Sequence, residues 1–240
     1  MKIEIFLTHE NLPKHDYQSA VAVIIDVLRA TTSITAALMN GAVSVIPVNE
    51  PAEAFSLRKD YNYLLAGERN GLIIDGFDFG NSPLEFTSEK VRGKTIVFCT
   101  SNGTQAMRKT CGFEHALLAS FINIKSLVDY TKTLEKDTFI VCAGTLGNSS
   151  LEDTVCGGMI AYMLGGNPTV NALKAISIYH RYKDNVRACM DDSHHGRYLA
   201  KLGFHRDLDF ASRISITDAV PVLNTENNFT RVSLLRKNKI

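Results

Sequence analysis

Short apolar runs and longer amphipathic stretches alternate along the chain. The runs KIEIFLT (2–8), AVAVIID (20–26), SVIPV (44–48), YLLAGE (63–68), TIVFCT (95–100), HALLAS (115–120) and FIVCAG (139–144) are short and rich in β-branched residues. Two more, AVPVLN (219–224) and RVSLLRK (231–237), come late. They predict strands. Between them SITAALMNG (33–41), PAEAFSLRKD (51–60), TQAMRKTCG (104–112), IKSLVDYTKTLEK (124–136) and LEDTVCGGMIAYMLGG (151–166) suit helices. Buried strands alternating with helices imply an α/β fold, a largely parallel or mixed sheet flanked by helices in three α/β/α layers. Gly41 and the pair Gly165 and Gly166 stand where left-handed C-caps belong.

From about 171 the pattern changes. Residues 172–203 predict helix throughout with one or two breaks. No low-complexity linker interrupts the chain, so residues 1–240 are expected to form a single domain, divisible at most into a core 1–165 and a helical and short-strand portion 166–240.

Composition then narrows the function. The 240 residues are 45% hydrophobic and 21% charged with a net charge of +1, which gives no bulk field for nucleic acid or a membrane surface. MKIEIFLTHE carries charge inside its only apolar stretch, unlike a signal peptide, and no run approaches a bilayer span. A cytoplasmic protein is expected. Its five cysteines are odd in number and lack a CxxC pair, so they read as small buried hydrophobes rather than as disulfides or a zinc site.

Candidate chemistry sits at three strand-to-helix corners. The first holds Asp26, Arg29, Thr31 and Thr32, and the second Thr100, Ser101, Asn102, Gly103 and Thr104. The third holds Gly144, Thr145, Asn148, Ser149, Ser150, Glu152 and Asp153. One such corner needs only capping and turn chemistry, and Ser150 to Asp153 fits a capping box. Three together, with an arginine and carboxylates, point to an anion site at the carboxyl ends of strands. Arg29 offers a guanidinium fork for phosphate, sulfonate or carboxylate. Asp26, Glu68 and Glu152 are hard oxygen ligands suited to Mg²⁺ beside a phosphate. The twenty-residue stretch GERNGLIIDGFDFGNSPLEF (67–86), with four glycines and a proline, reads as a functional loop.

Known phosphate motifs are absent. Gly93-Lys94-Thr95 precedes a strand and has Ser88 where a Walker loop needs glycine. Neither Cys99 nor Cys142 has an arginine at the spacing of a thiol phosphatase. Asp26 is followed by Val27 and Leu28 rather than by a second aspartate two positions on. There is no GxGxxG.

The blocks IDVLRATTSITAAL, GERNGLIIDGFDFGNSP, TSNGTQAM, ASFIN, CAGTLGNSSLEDTVCGG and HGRYLAKLG, in that order, resemble the 2-phosphosulfolactate phosphatases, the ComB family. The resemblance covers about residues 20–221. It implies an α/β enzyme that requires Mg²⁺ and hydrolyses the phosphate ester of a sulfonated lactate, a step of coenzyme M biosynthesis in some organisms. On that basis phosphate is expected against Arg29, Thr31, Thr32, Ser101, Asn102, Gly103, Thr104 and Thr145. Asp26, Glu68 and Glu152 are expected to hold Mg²⁺, with Asp78 and Asp153 in reserve. Arg69 or Arg197 would hold the sulfonate or carboxylate. His194 or His195 is either a leaving-group acid or a structural residue at a helix start. Attack by a metal-activated water competes with a phosphoenzyme on Asp26 or Ser101. A homo-oligomer, a dimer by default, is expected. The alternatives are a hydrolase of another small carboxylated phosphate ester, or a non-catalytic anion-binding protein on the same scaffold.

Overall fold

The computed structural model describes residues 1–14, 17–226 and 229–235, so Arg236 and Lys237 of the last expected strand, and His15, lie outside the described residues. The elements run β1 (Lys2–Phe6), β2 (Val21–Ile25), α1 (Ala30–Met39), β3 (Ser44–Val48), α2 (Pro51–Tyr61), β4 (Leu64–Arg69), β5 (Leu72–Ile73), α3 (Ser88–Val91), β6 (Thr95–Cys99) and α4 (Gly103–Lys109). Then come β7 (His115–Ala119), α5 (Ile124–Leu134), β8 (Thr138–Cys142), α6 (Leu151–Leu164), β9 (Asn167–Pro168), α7 (Val170–Tyr182), α8 (Val186–Asp192), α9 (His194–Lys201), α10 (His205–Ala211), β10 (Pro221–Glu226) and β11 (Phe229–Leu234). The helical stretch after 171 breaks between α7 and α8 and again at Ser193.

One sheet takes all eleven strands, in the order β5-β4-β6-β3-β11-β10-β7-β2-β8-β1-β9. Two parallel blocks, β4-β6-β3 and β7-β2-β8-β1, are joined by the antiparallel β10–β11 hairpin between them. The central strands are buried on both faces, which is why they read as unbroken apolar runs. Alternation survives inside them. Val21, Val23 and Ile25 enter one core with α5 and α6, while Ala22 and Ile24 enter a second with α1 and α4.

That second core also receives Ile96 and Phe98 of β6, although four strands separate β6 from β2 in the pairing order. A flat sheet would hold the two about 24 Å apart. The sheet therefore curls around α1 and α4. Both helices are crossovers: α1 carries the chain from β2 to the far block, and α4 carries it back from β6 to β7. The curl brings the carboxyl ends of β2, β4 and β6 to one place.

Four of the five cysteines are buried, and all five are free thiols. Gly41, Gly165 and Gly166 have positive φ, as their place after helices predicts. Among the described residues no helix is long and apolar enough to cross a membrane.

Candidate active site

Asp26 follows the last residue of β2 and stands at the start of α1. Its Oδ1 accepts from the Ala30 N–H at 3.2 Å. The N-terminus of α4 comes up against its other oxygen. A Cβ on Gly103 would stand 2.6 Å from Asp26 Oδ2 and 2.5 Å from the Ala30 methyl, so only glycine permits this approach. Glu68 arrives at the end of β4 by a second close contact. Gly67, at φ +151°, lies against Cys99 of β6, whose carbonyl oxygen would be 2.0 Å from an added Cβ. Glu68 then accepts from the Gly71 N–H at 2.8 Å and the Ser101 N–H at 3.1 Å.

Asp26 and Glu68 line a cavity of about 180 Å³, with Arg29, Ser101, Asn102 and Thr145 on the same wall. Helix α9 closes it with His194, His195 and Tyr198. Tyr198 donates to the Asn70 carbonyl at 2.9 Å, which pins the β4–β5 turn beneath α9. Asn81, from the glycine-rich stretch, also faces the cavity, and its buried Oδ1 has no partner.

The electrostatics are strained in one direction. Burial first, then the charges of Glu68 and Glu152, push the Asp26 carboxyl up to about 7, against the pull of the Ala30 N–H and Arg29. Burial raises Glu152 too, and one of its oxygens, Oε2, is buried without a hydrogen bond. Burial and the neighbouring Arg29 hold His195 down at about 4, so its imidazole is neutral at physiological pH. Burial, the shared cause, pushes both the Asp26 and the Glu152 carboxyl toward their neutral forms.

The residues expected at the site separate into three groups. Asp26, Glu68, Arg29, Ser101, Asn102 and Thr145 come together around the cavity. Thr31 and Thr32 turn inward instead. The Thr31 hydroxyl lies against the carbonyls of Ala119 at 2.7 Å and Asp26 at 2.9 Å, and Thr32 donates to Val27. Thr104 donates to the Thr100 carbonyl. Gly103 and these hydroxyls shape the corners without lining the cavity. Glu152 lies behind Asp26 rather than in the cavity wall, and among the described residues no three His, Cys, Asp or Glu side chains gather as a ready-made metal ligand set.

Asp153 does not complete a capping box. Its carboxylate accepts from Val27 N at 2.8 Å and Gly144 N at 3.3 Å, tying two corners together, while Ser150 meets the Thr145 hydroxyl at 3.0 Å. Asp78 is exposed and pairs with Arg58. Arg197 is spent on the carbonyls of Asp191 and Asp192 at the end of α8. Arg69 lines a neighbouring pocket.

Arg29 has a second life. Its Nη1 meets Asp207 of α10 at 2.8 Å, its Nη2 donates to the Gly71 carbonyl at 2.7 Å, and Phe204 lies 4.2 Å beneath the guanidinium. Asp207 also accepts from Ser82 at 2.6 Å. Sequence reasoning passed over Asp207, because nothing in FHRDLDF distinguishes its two aspartates.

A profile of the 2-phosphosulpholactate phosphatase family matches residues 6–226. The chain belongs to that family. Relatives carrying the name probable 2-phosphosulfolactate phosphatase include one from Caldanaerobacter subterraneus subsp. tengcongensis, 40% identical over 240 residues, covering 97% of this chain and 99% of its own. One from Symbiobacterium thermophilum is 41% identical over 218 residues, covering 88% and 94%. A third, from Thermotoga petrophila, is 42% identical over 212 residues, covering 88% and 92%. The profile's extent takes in all three corners and α9, so the cavity lies wholly within it.

Proposed function

We propose that this family member hydrolyses 2-phosphosulfolactate to sulfolactate and phosphate in the cavity between Asp26 and Glu68, and that it does so with Mg²⁺. The observation that carries the reading is the pairing of these two carboxylates in one small cavity, with Asp26 raised to about 7 by burial and by its acidic neighbours. Mg²⁺ keeps several waters and needs only one or two protein carboxylates beside a phosphate, so Asp26 and Glu68 fit it without a third ligand. Glu152, buried behind Asp26, adds negative charge from the rear. When bound, the ion supplies charge neutralisation at the phosphoryl oxygens and a more acidic water.

The remaining roles fall to the chain itself. Arg29 is held by Asp207 and Gly71, which leaves other guanidinium donors for a phosphoryl oxygen. Asn102, the Ser101 hydroxyl and the Asn81 amide are placed to orient the ester. His195, neutral in the free site with its one ring N–H held by the Leu28 backbone, offers its other nitrogen as an acceptor, and an arriving phosphate dianion raises its proton affinity. Tyr198 holds the turn that positions Glu68. Water attacks phosphorus directly in this reading, with Ser101 a binding group and not a nucleophile. The free thiols agree with a reducing, cytoplasmic setting.

Phosphate release from 2-phosphosulfolactate with Mg²⁺ tests the proposal. Asp26→Asn, folded and melting cooperatively, is expected to lose more than the ~100-fold that removal of an outer partner costs. Undiminished release by that variant, or none by the wild type, overturns it.

A further inference from the structure

Beyond the Thr100–Ser101 wall lies a second, wider pocket of about 680 Å³, lined by those two residues together with Arg69, Arg108 and Lys109. It is the neighbour of the catalytic cavity, since Thr100 and Ser101 face both. Its three cations come from two elements, Arg69 from the end of β4 and Arg108 and Lys109 from the last turn of α4.

Among the described residues none of the three makes an ion pair. Arg69 is held in place by neutral acceptors: the Glu68 carbonyl at 3.0 Å, the Asn49 carbonyl at 2.6 Å and the Cys99 sulfur at 3.3 Å. Lys109 donates to the His9 carbonyl at 3.1 Å. Carbonyls fix these groups without cancelling their charge. Arg108 is exposed and Glu50 also lines the pocket, yet Glu50 pairs with none of them. In a chain whose net charge is only +1, three cations against one carboxylate in one pocket are a local feature rather than a bulk one.

The catalytic cavity itself has a single guanidinium, Arg29, already engaged by Asp207. A substrate with two anionic groups besides its phosphate exceeds what that cavity can neutralise. We infer that the pocket of Arg69, Arg108 and Lys109 is the subsite for the sulfonate arm, an assignment that rests on the phosphatase reading above. Three considerations favour sulfonate over carboxylate. The sulfonate stands one atom further from the phosphate-bearing carbon, so it is the longer of the two arms. Its three tetrahedrally disposed oxygens accept from several directions, whereas a planar carboxylate is satisfied by one fork. The pocket's open mouth and positive field also draw the polyanion toward the reacting carboxylates, which would otherwise repel it.

A purely structural account exists for two of the cations, because Arg108 and Lys109 complement the C-terminal dipole of α4. Kinetics separate the accounts. The double variant Arg108→Gln/Lys109→Gln is expected to raise KM for 2-phosphosulfolactate on the order of tenfold, with kcat within about twofold, and to leave KM for 2-phospholactate, which keeps the carboxylate but lacks the sulfonate, unchanged. Arg108→Lys alone is expected to retain most of the affinity. An equal rise for both esters, or no rise for either, overturns the assignment. If the wild type releases phosphate from neither ester, the phosphatase reading falls. The subsite is then decided by calorimetric titration with sulfolactate, where equal affinity of wild type and double variant overturns it.

Discussion

Asp26 and Arg29 lie three positions apart at one corner, yet they belong to two buried charge clusters of opposite character. Around Arg29 the ion pair with Asp207, the Ser82 hydroxyl, the Gly71 carbonyl and the Phe204 ring meet each other at ordinary distances. Around Asp26 the neighbours are other acids, one Glu152 oxygen has no partner, and burial drives the carboxyl toward neutrality. Both clusters are as deep in the molecule. The difference is completeness: the Arg29 cluster is closed, paired within the chain, whereas the Asp26 cluster is open and leaves a Glu152 oxygen without a hydrogen bond.

The largest effect should come from breaking the closed cluster. Asp207→Asn leaves the Arg29 charge buried and unpaired, a loss of about 3–5 kcal/mol. Denaturant titration would show it, with a melting temperature lower by about 10 °C. An Asp207→Asn protein as stable as the wild type would erase the distinction between the clusters.

An effect of opposite sign and similar size, confined to high pH, is expected from the open one. The folded Asp26 carboxyl, near 7, holds a proton that the unfolded chain releases above about 4. The folded state therefore binds more protons in that window, and stability from this group falls as pH rises from about 4 to 7. His195, depressed to about 4, works the other way between about 4 and 6.5, so the difference between wild type and Asp26→Asn is the quantity to read. That difference should be near zero at pH 4 and reach about 8–16 °C in favour of the variant at pH 8. Millimolar Mg²⁺ should raise the wild-type melting temperature at pH 8 and leave the variant's where it is. A variant less stable than wild type at pH 8 without Mg²⁺ would mean that the cluster is satisfied after all.

The smallest effect marks the boundary of the site. Arg197, which caps the end of α8, belongs to neither cluster. Arg197→Ala should change stability by less than about 1 kcal/mol and leave KM for the sulfonated ester unaltered. A KM rise would bring α9's outer face into the substrate's reach.

The order of strands and helices was legible because buried strands between helices leave unmistakable apolar runs. The place of the last two strands was not. AVPVLN and RVSLLRK look like a terminal hairpin, and nothing local says that β10 and β11 pair with β7 and β3 in the middle of the sheet. The three corners were legible as a group, but the use of each residue was not, because hydroxyls, amides and glycines serve capping and binding alike. Which way Thr31 and Thr32 point depends on the α1 crossover packing against Ala119 and on a backbone turn back to Asp26, neither visible in a single segment. Asp153 was misjudged on local grounds, since its partners Val27 and Gly144 lie on other strands' ends.

The central position of the β10–β11 hairpin also sets the order of events during synthesis. The chain emerges from its N-terminus, so β3 and β7 exist long before the strands that will lie between them. Until residues 221–234 arrive, each block keeps an open inner edge, and only the crossover helices α1 and α4 with their shared core join the two. A ribosome-bound or C-terminally clipped form would carry two unpaired strand edges at its heart, the sort of surface that chaperones are there to cover.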